Sequence, residues 1–275
     1  MGTSCSLFAA GSSALALLKG ELWVRSLAAR LTRFDARSEL SLLNAAAGKW
    51  APVSPEMEAL LRESLRAHEM SGGLVNVAVL RSMLAVGYTR TLADGPTPAT
   101  LELARSAPPL PSVLEVMPGG ARLAPEAGID LGGVAKGWMA DRLAERLGPD
   151  VLVNLGGDLR ARGGGPEGAG WPVGFGDATI LLAGQGAATS SVLRRRWAGG
   201  LHHLIDPRTG LPAASDLVEV SVVAATAVDA EVVAKAALIA GREPAPAYCA
   251  AHADAWRLVP THRGPREIGD FVGVK

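Results

Sequence analysis

Val151-Leu-Val-Asn154-Leu-Gly156-Gly157-Asp158-Leu-Arg-Ala-Arg162 is the stretch whose reading decides the fold. An apolar strand, Val151–Leu155, runs into a glycine pair, and a second short strand follows at Leu159–Arg162. Further short strands are expected around Trp171–Phe175, Thr179–Leu182, Ala188–Ser190 and His202–Ile205. Val218–Ala224 is a clean β-branched strand, and Trp256–Val259 and Phe271–Val274 read as closing strands. Strands in series, without a helix after each, point to an α+β protein with mixed, largely antiparallel sheets and flanking helices rather than a βαβ array.

Outward from this stretch the helices are legible from caps and periodicity. Met1–Ala10 reads as a first strand, after which Ser12 or Ser13 caps a helix reaching about Phe34, with Leu15, Leu18, Leu22, Leu27 and Leu31 near helical spacing. Ser38–Asn44 is a short helical turn. Ser54-Pro55-Glu56-Met57-Glu58 is a strong helix start, with serine as cap and proline at the first position, and that helix should end at Gly72-Gly73. Residues 87–127 read as loops, with a short helix near Pro98–Ser106 and small strands near Val113–Val116 and Arg122–Ala124. Ile129–Gly133 opens a helix through Leu147, with Val134, Trp138, Met139, Leu143 and Leu147 as one stripe, and Ala227–Ala240 is a helix stopped by Gly241. The glycine-rich piece 163–170 reads as a loop tip.

The 275 residues are 48% hydrophobic and 20% charged, as in soluble globular proteins. Lys+Arg and Asp+Glu number 27 each, which argues against a binder of nucleic acid or of anionic membranes, both of which show a basic excess. Cys5 and Cys249 cannot make a disulfide framework or a zinc site, and both are expected as reduced, packed thiols. No apolar run reaches the roughly 20 residues a membrane span needs. The start, Met1-Gly2-Thr3, lacks the basic residues of a signal peptide, so a cytoplasmic location is expected.

Several clusters carry chemistry. In Leu201-His202-His203-Leu-Ile205-Asp206-Pro207-Arg208-Thr209-Gly210-Leu-Pro212, adjacent histidines on a strand face opposite sides, and Asp206-Pro207 starts a turn in which Gly210 takes a positive φ. Such a strand end projects an imidazole, a carboxylate and a guanidinium at one rim; a polar hairpin end is the plain alternative. Asp130-Leu-Gly-Gly133-Val-Ala-Lys136-Gly137 puts a carboxylate before a glycine-rich helix start, where free N–H groups favour phosphate and Lys136 can neutralise it. The alternative there is a capping Asp130 and a solvated lysine. The pattern is neither a Walker loop nor a dinucleotide fingerprint. Asn154-Leu-Gly-Gly-Asp158 suits either ligand contact or an Asx-stabilised tight turn. Arg194–Arg196 is a basic run of the kind that usually lies in solvent, and His68, His252 and His262 read as structural.

Taken in order, these pieces resemble the ApbE family of FAD:protein FMN transferases. The matching segments are Met1-Gly2-Thr3, Ser38–Asn44, Ser71-Gly-Gly73, Asp130–Gly137, Asn154–Asp158, His203–Gly210 and Ala230–Gly241. The resemblance implies a single ApbE-like domain over residues 1–275, related to the T-fold, with two intertwined subdomains and an FAD cleft between them. It implies transfer of FMN from FAD to a threonine or serine hydroxyl of an acceptor protein, with a divalent cation, usually magnesium, and release of AMP. Some members instead hydrolyse FAD to FMN and AMP. By position, Met1 and Phe34 would line the flavin, and Leu74, Val75 and Asn76 fall on a cofactor-contacting segment where Asn76 replaces the usual aspartate. Asp130, Lys136 and Ile205 match FAD-contacting positions, and His203 is the candidate base. No nucleic acid or membrane partner is implied.

The last segment departs from the family. Where the family has aspartate and threonine holding magnesium, with a backbone carbonyl corresponding to Gly133, this chain has Glu231 and Lys235. Glutamate can ligate magnesium; a protonated lysine cannot. Glu231 and Lys235 lie at i, i+4, the spacing of an ordinary helical ion pair. Two readings stay open: the ammonium stands in for the metal beside the pyrophosphate, or the pair is only a salt bridge in a flavin-binding protein of little turnover.

Overall fold

The computed structural model describes residues 3–11, 13–261 and 271–273. The chain divides into two compact units that interleave along the sequence: Ser26–Val134 with Val192–Ala214, and Thr3–Arg25 with Ala135–Ser191 and the chain from Ser215 onward.

The second unit is built on a six-stranded sheet whose spatial order follows the chain: Cys5–Ala9, Val151–Leu155, Leu159–Arg162, Gly186–Ser191, Leu217–Ala224 and Ala255–Pro260. Every pairing in it is antiparallel. Side-chain alternation gives the sheet two buried faces. Leu152, Ala161, Ala187, Val223 and Ala255 join a cluster with Trp171, Val173, Phe175 and Leu182 of the hairpin Trp171–Phe175/Ala178–Leu182. The helices Ala135–Leu147 and Ala227–Ala240 pack on the sheet and on each other. Ala227–Ala240 is buried nearly all round, with alanines and valines on every side, as a helix enclosed by its own protein must be. Gly137 makes the helix crossing possible: a Cβ there would lie 2.7 Å from the Ala227 carbonyl oxygen and from Val228 Cα.

The first unit holds a three-stranded sheet, in the order Ala51–Pro52, Gly120–Leu123, Leu114–Met117, and three short to medium helices. Pro55–Met70 is the clearest. Ser54 accepts from Met57 N, Pro55 occupies the first turn, and Met57, Leu60, Leu61, Ser64 and Ala67 form the buried face. It ends at Met70, with Gly72 and Gly73 at positive φ just beyond.

The sequence expectations hold for most strands, with shifts at the ends. The first strand is Cys5–Ala9, and the first helix stops at Arg30 rather than near Phe34. Pro98–Ser106 contains only a 3-10 turn, Leu101–Leu103. The helix expected from Ile129 begins at Ala135, because the Asp130 carboxylate accepts from Gly132 N (2.7 Å) and holds an Asx turn in place of helix. His202 is an isolated bridge to Arg196, and only Ile205–Asp206 is strand. Val272 likewise makes one bridge, to Trp256. Two helices were not foreseen, Leu80–Ala85 and Ala245–His252. Cys249 is buried as expected, its thiol pushed up to about 12 by burial, but Cys5 is exposed. No helix among the described residues is long and apolar enough to cross a membrane.

Candidate functional site

In the second unit four charged side chains meet. Lys136 enters on the first turn of Ala135–Leu147, Asp158 on the turn after Val151–Leu155, and Glu231 and Lys235 on successive turns of Ala227–Ala240. Lys136 Nζ donates to Glu231 Oε1 at 2.7 Å and to Asp158 Oδ2. Lys235 Nζ reaches the same Glu231 oxygen at 3.4 Å, and Glu231 Oε2 accepts from Gly137 N at 2.9 Å. All four side chains are 15% exposed or less. Asn154 Oδ1 accepts from Gly157 N at 2.8 Å, so the Asx turn foreseen at Asn154–Asp158 forms and also presents Asp158 to Lys136.

Electrostatics in this cluster follow from burial set against partners. Burial works against the charge on Glu231, but Lys136, Lys235 and the Gly137 N–H outweigh it and hold the carboxyl down to about 2. Asp158 is pushed up to about 6 by burial and by Glu231 beside it, against the pull of Lys136. Lys136 is burdened by burial yet raised overall by its two carboxylates. Lys235 is lowered, chiefly by burial and also by Lys136, despite Glu231 and Asp158.

Magnesium does not fit these donors. It demands near-octahedral oxygen ligands. Here one Glu231 oxygen faces two ammonium groups and the other accepts a backbone N–H. The neighbouring acid, Asp229, accepts from Thr226 Oγ1 at the helix start (2.6 Å). Among the described residues no three His, Cys, Asp or Glu side chains are grouped to hold a metal ion.

In the first unit the structure gathers Phe34, Asp130 and Ile205 through residues the sequence did not single out. Arg33 Nε pairs with Asp130 Oδ2, and its NH2 donates to the Tyr88 carbonyl at 2.6 Å. The guanidinium lies 4.2 Å from the Phe34 ring centroid and 4.7 Å from that of Tyr88. Phe34 and Tyr88 are 5.6 Å apart by centroids, and Tyr88 and Trp197 are 5.7 Å apart. Trp197 Nε1 donates to Val86 O at 2.9 Å, and Ile205 packs with Met83 and Val86 beneath Tyr88 and Trp197. Arg33 was readable only as the neighbour of Phe34, and Trp197 only as the aromatic ending a basic run.

The remaining predicted positions sort as follows. Asp130 N donates to Val77 O at 2.8 Å, which sets Leu74–Asn76 close along the chain from the Asp130 turn. Val75 is buried, its N–H on Ser71 Oγ (2.9 Å). Asn76 is buried, with Nδ2 on Pro108 O (2.8 Å) and Oδ1 accepting from Ala78 N (2.9 Å), so both ends of its amide are engaged within the fold. In the Leu201–Pro212 segment, His202 is buried and His203 half-buried. Asp206 and Arg208 do not project separately: the guanidinium clasps the carboxylate through Nε (2.9 Å) and NH2 (2.7 Å) within one turn. Gly210 takes φ +75°, and a Cβ there would lie 2.0 Å from Arg105 O. Gly133 sits in the loop before Ala135–Leu147 and belongs to the first unit, whereas Glu231 and Lys235 belong to the second. Met1 and His262 lie outside the described residues.

The fold is α+β, and it is the fold of solved flavin transferases. The chain superposes on the ApbE protein of Thermotoga maritima with a TM-score of 0.83 at 23% identity, covering 98% of this chain and 93% of that one. On the Pseudomonas stutzeri flavinyl transferase ApbE, in its apo form, the TM-score is 0.81 at 20% identity, covering 96% and 89%. The ApbE family model matches residues 1–257, and the chain belongs to the ApbE family. A FAD:protein FMN transferase of Salmonella typhimurium is 29% identical over 202 residues, 66% of this chain and 58% of its own length. One of Haemophilus influenzae is 26% identical over 254 residues, 82% of this chain and 72% of its own. The chain thus spans little over half the length of the first of these relatives.

Proposed function

We propose that this protein binds FAD and transfers its FMN half to a threonine or serine hydroxyl of an acceptor protein, releasing AMP. The observation that carries the reading is the family match over residues 1–257, joined to the aromatic and cationic surround of Asp130. Phe34 and Tyr88 offer flat π faces suited to an isoalloxazine ring, with Ile205 packed against Tyr88, and Leu74 and Val75 complete the proposed flavin contacts.

In the proposed reaction the acceptor oxygen attacks the FMN-side phosphorus. A phosphorus–oxygen bond forms to the acceptor as the pyrophosphate bond breaks, and AMP leaves with the bridging oxygen. The hydroxyl proton goes to His203, whose imidazole suits a base near neutral pH. Asp130 orients the flavin half, and Lys136 contributes positive charge near the phosphates. No step is routed through magnesium, since the donors at Glu231 and Lys235 do not suit it.

The test is incubation with FAD and an extract containing candidate acceptors, read by in-gel flavin fluorescence after denaturation and by chromatography of AMP. Covalent flavin on a separate protein with an equal amount of AMP is expected, and both should disappear in His203→Ala while FAD binding persists. AMP and FMN released with no acceptor present would mean hydrolysis instead. FAD recovered intact would mean a flavin-binding protein without turnover.

A further inference from the structure

We propose that Lys235, held by Glu231 beside Lys136 and Asp158, supplies from within the protein the positive charge that a divalent cation would bring, so that flavin binding here needs no metal. The ligand in this inference rests on the flavin reading above; the charge cluster does not.

The cluster is complete without an ion. Two ammonium groups and two carboxylates balance, and each Glu231 oxygen has a donor: Lys136 at 2.7 Å with Lys235 at 3.4 Å on one, Gly137 N at 2.9 Å on the other. A divalent cation entering the same space would have to strip those donors away and sit against two like charges in a region where all four side chains are 15% exposed or less. Lys235 has no lone pair to offer while protonated.

The placement of Lys235 also goes beyond what a lone helical salt bridge needs. An exposed i, i+4 pair leaves its ammonium in water, whereas this one is drawn into a buried group whose other lysine already satisfies Glu231 at the shorter distance. A second buried ammonium adds desolvation cost, and its distance to Glu231 is the longer of the two. That cost is explained if the charge is used by an anion. Asp158 and Glu231 compensate it in the resting protein, and a pyrophosphate would add a third anionic partner.

The experiment is calorimetric titration of the full chain with FAD in excess magnesium and in EDTA, for wild type, Lys235→Arg, Lys235→Met and Lys235→Thr, with circular dichroism to establish folding. A second titration uses manganese alone, without FAD. The proposal expects wild-type affinity for FAD to agree within twofold in the two buffers, and no manganese binding. Lys235→Arg should keep metal-independent binding, Lys235→Met should lose at least tenfold, and Lys235→Thr should bind FAD more tightly with magnesium than without. Wild-type affinity that falls tenfold or more in EDTA overturns the inference while leaving the flavin reading intact. Equal FAD binding by wild type and Lys235→Met would make the pair a plain salt bridge and also overturn it. If FAD fails to bind in either buffer, the proposed function falls and the flavin half of the inference with it; manganese binding by wild type would then refute a cluster closed to metal, and its absence would uphold only that closure. Should Lys235→Met not fold, the wild-type buffers and Lys235→Arg carry the same decision.

Discussion

Glu231 and Asp141 each cap the helix that carries the other. Glu231, on Ala227–Ala240, accepts from Gly137 N in the first turn of Ala135–Leu147, and Asp141, on Ala135–Leu147, accepts from Ala227 N (2.9 Å) and Val228 N (3.0 Å). The first N–H groups of a helix have no partner within it, and a carboxylate there also meets the positive end of the helix dipole. Two buried helix starts are thus satisfied reciprocally, and the approach that allows it depends on Gly137.

Replacing Asp141 should separate capping from titration. Burial pushes Asp141 up to about 6, outweighing the two N–H groups and Arg160. A carboxyl raised above its unfolded value near 3.8 gives stability that is full below that value and lost as pH rises through 6. The rise corresponds to about 3 kcal/mol at most. Asp141→Ala is expected to lose about 2 kcal/mol through two uncapped N–H groups, and Asp141→Asn less. Urea unfolding midpoints at pH 4, 5, 6 and 7 should decline toward neutrality in wild type and less so in Asp141→Asn; parallel profiles would contradict the assignment.

Gly137→Ala should destabilise through backbone contact rather than helix propensity. Alanine is the better helix former by up to about 1 kcal/mol, so propensity alone would stabilise. The added methyl would instead press on the Ala227 carbonyl and Val228 Cα at 2.7 Å, neither of which can swing aside. A net loss of about 1–3 kcal/mol is expected, as for overpacked cores. Thermal unfolding of the variant checks it, and an unchanged or raised Tm would count against the close crossing.

Glu231 carries the opposite pH signature. Its carboxyl is held to about 2 against an unfolded value of 4.5, so its contribution is full above 4.5 and is lost as pH falls toward 2. The span corresponds to about 3 kcal/mol. Glu231→Gln should be destabilised at neutral pH by about 3–5 kcal/mol, because two buried ammonium groups then lose the carboxylate they share. Denaturant titrations below pH 4.5 should show a shallower acid loss in the variant than in wild type.

Local chemistry makes part of this fold legible in the sequence. Strands bounded by glycine turns and the helix capped by Ser54 depend on it, and they appear where periodicity and caps put them. Ala245–His252 escapes notice because Pro244 and Pro246 look like breakers, yet proline is tolerated in a first helical turn. In the candidate site, Glu231–Lys235 is readable as an i, i+4 pair. Nothing in the spacing announces that Lys136, 95 positions away, closes on the same oxygen, or that Arg33 pairs with Asp130 across 97 positions. Those contacts follow from tertiary crossings, and the one local hint, Gly137 beside Lys136, becomes meaningful only once the helix it faces is known.

Phe34 offers the sharpest division between stability and binding. Phe34 is 39% exposed, so part of its apolar burial, against Tyr88 and the Arg33 guanidinium, is lost on truncation, while Arg33 keeps its pairing with Asp130 and the Tyr88 carbonyl. Phe34→Ala is therefore expected to cost about 1–2 kcal/mol in unfolding free energy. If the ring is a face for the flavin, its removal should weaken FAD by about tenfold, the equivalent of one aromatic stacking contact of roughly 1.5 kcal/mol. FAD fluorescence titration beside urea unfolding reads both quantities from the same preparation. A stability loss of that size with unchanged affinity would assign Phe34 to the support of Arg33 and Tyr88 alone; the same loss with FAD weakened about tenfold would assign it to the flavin surface as well.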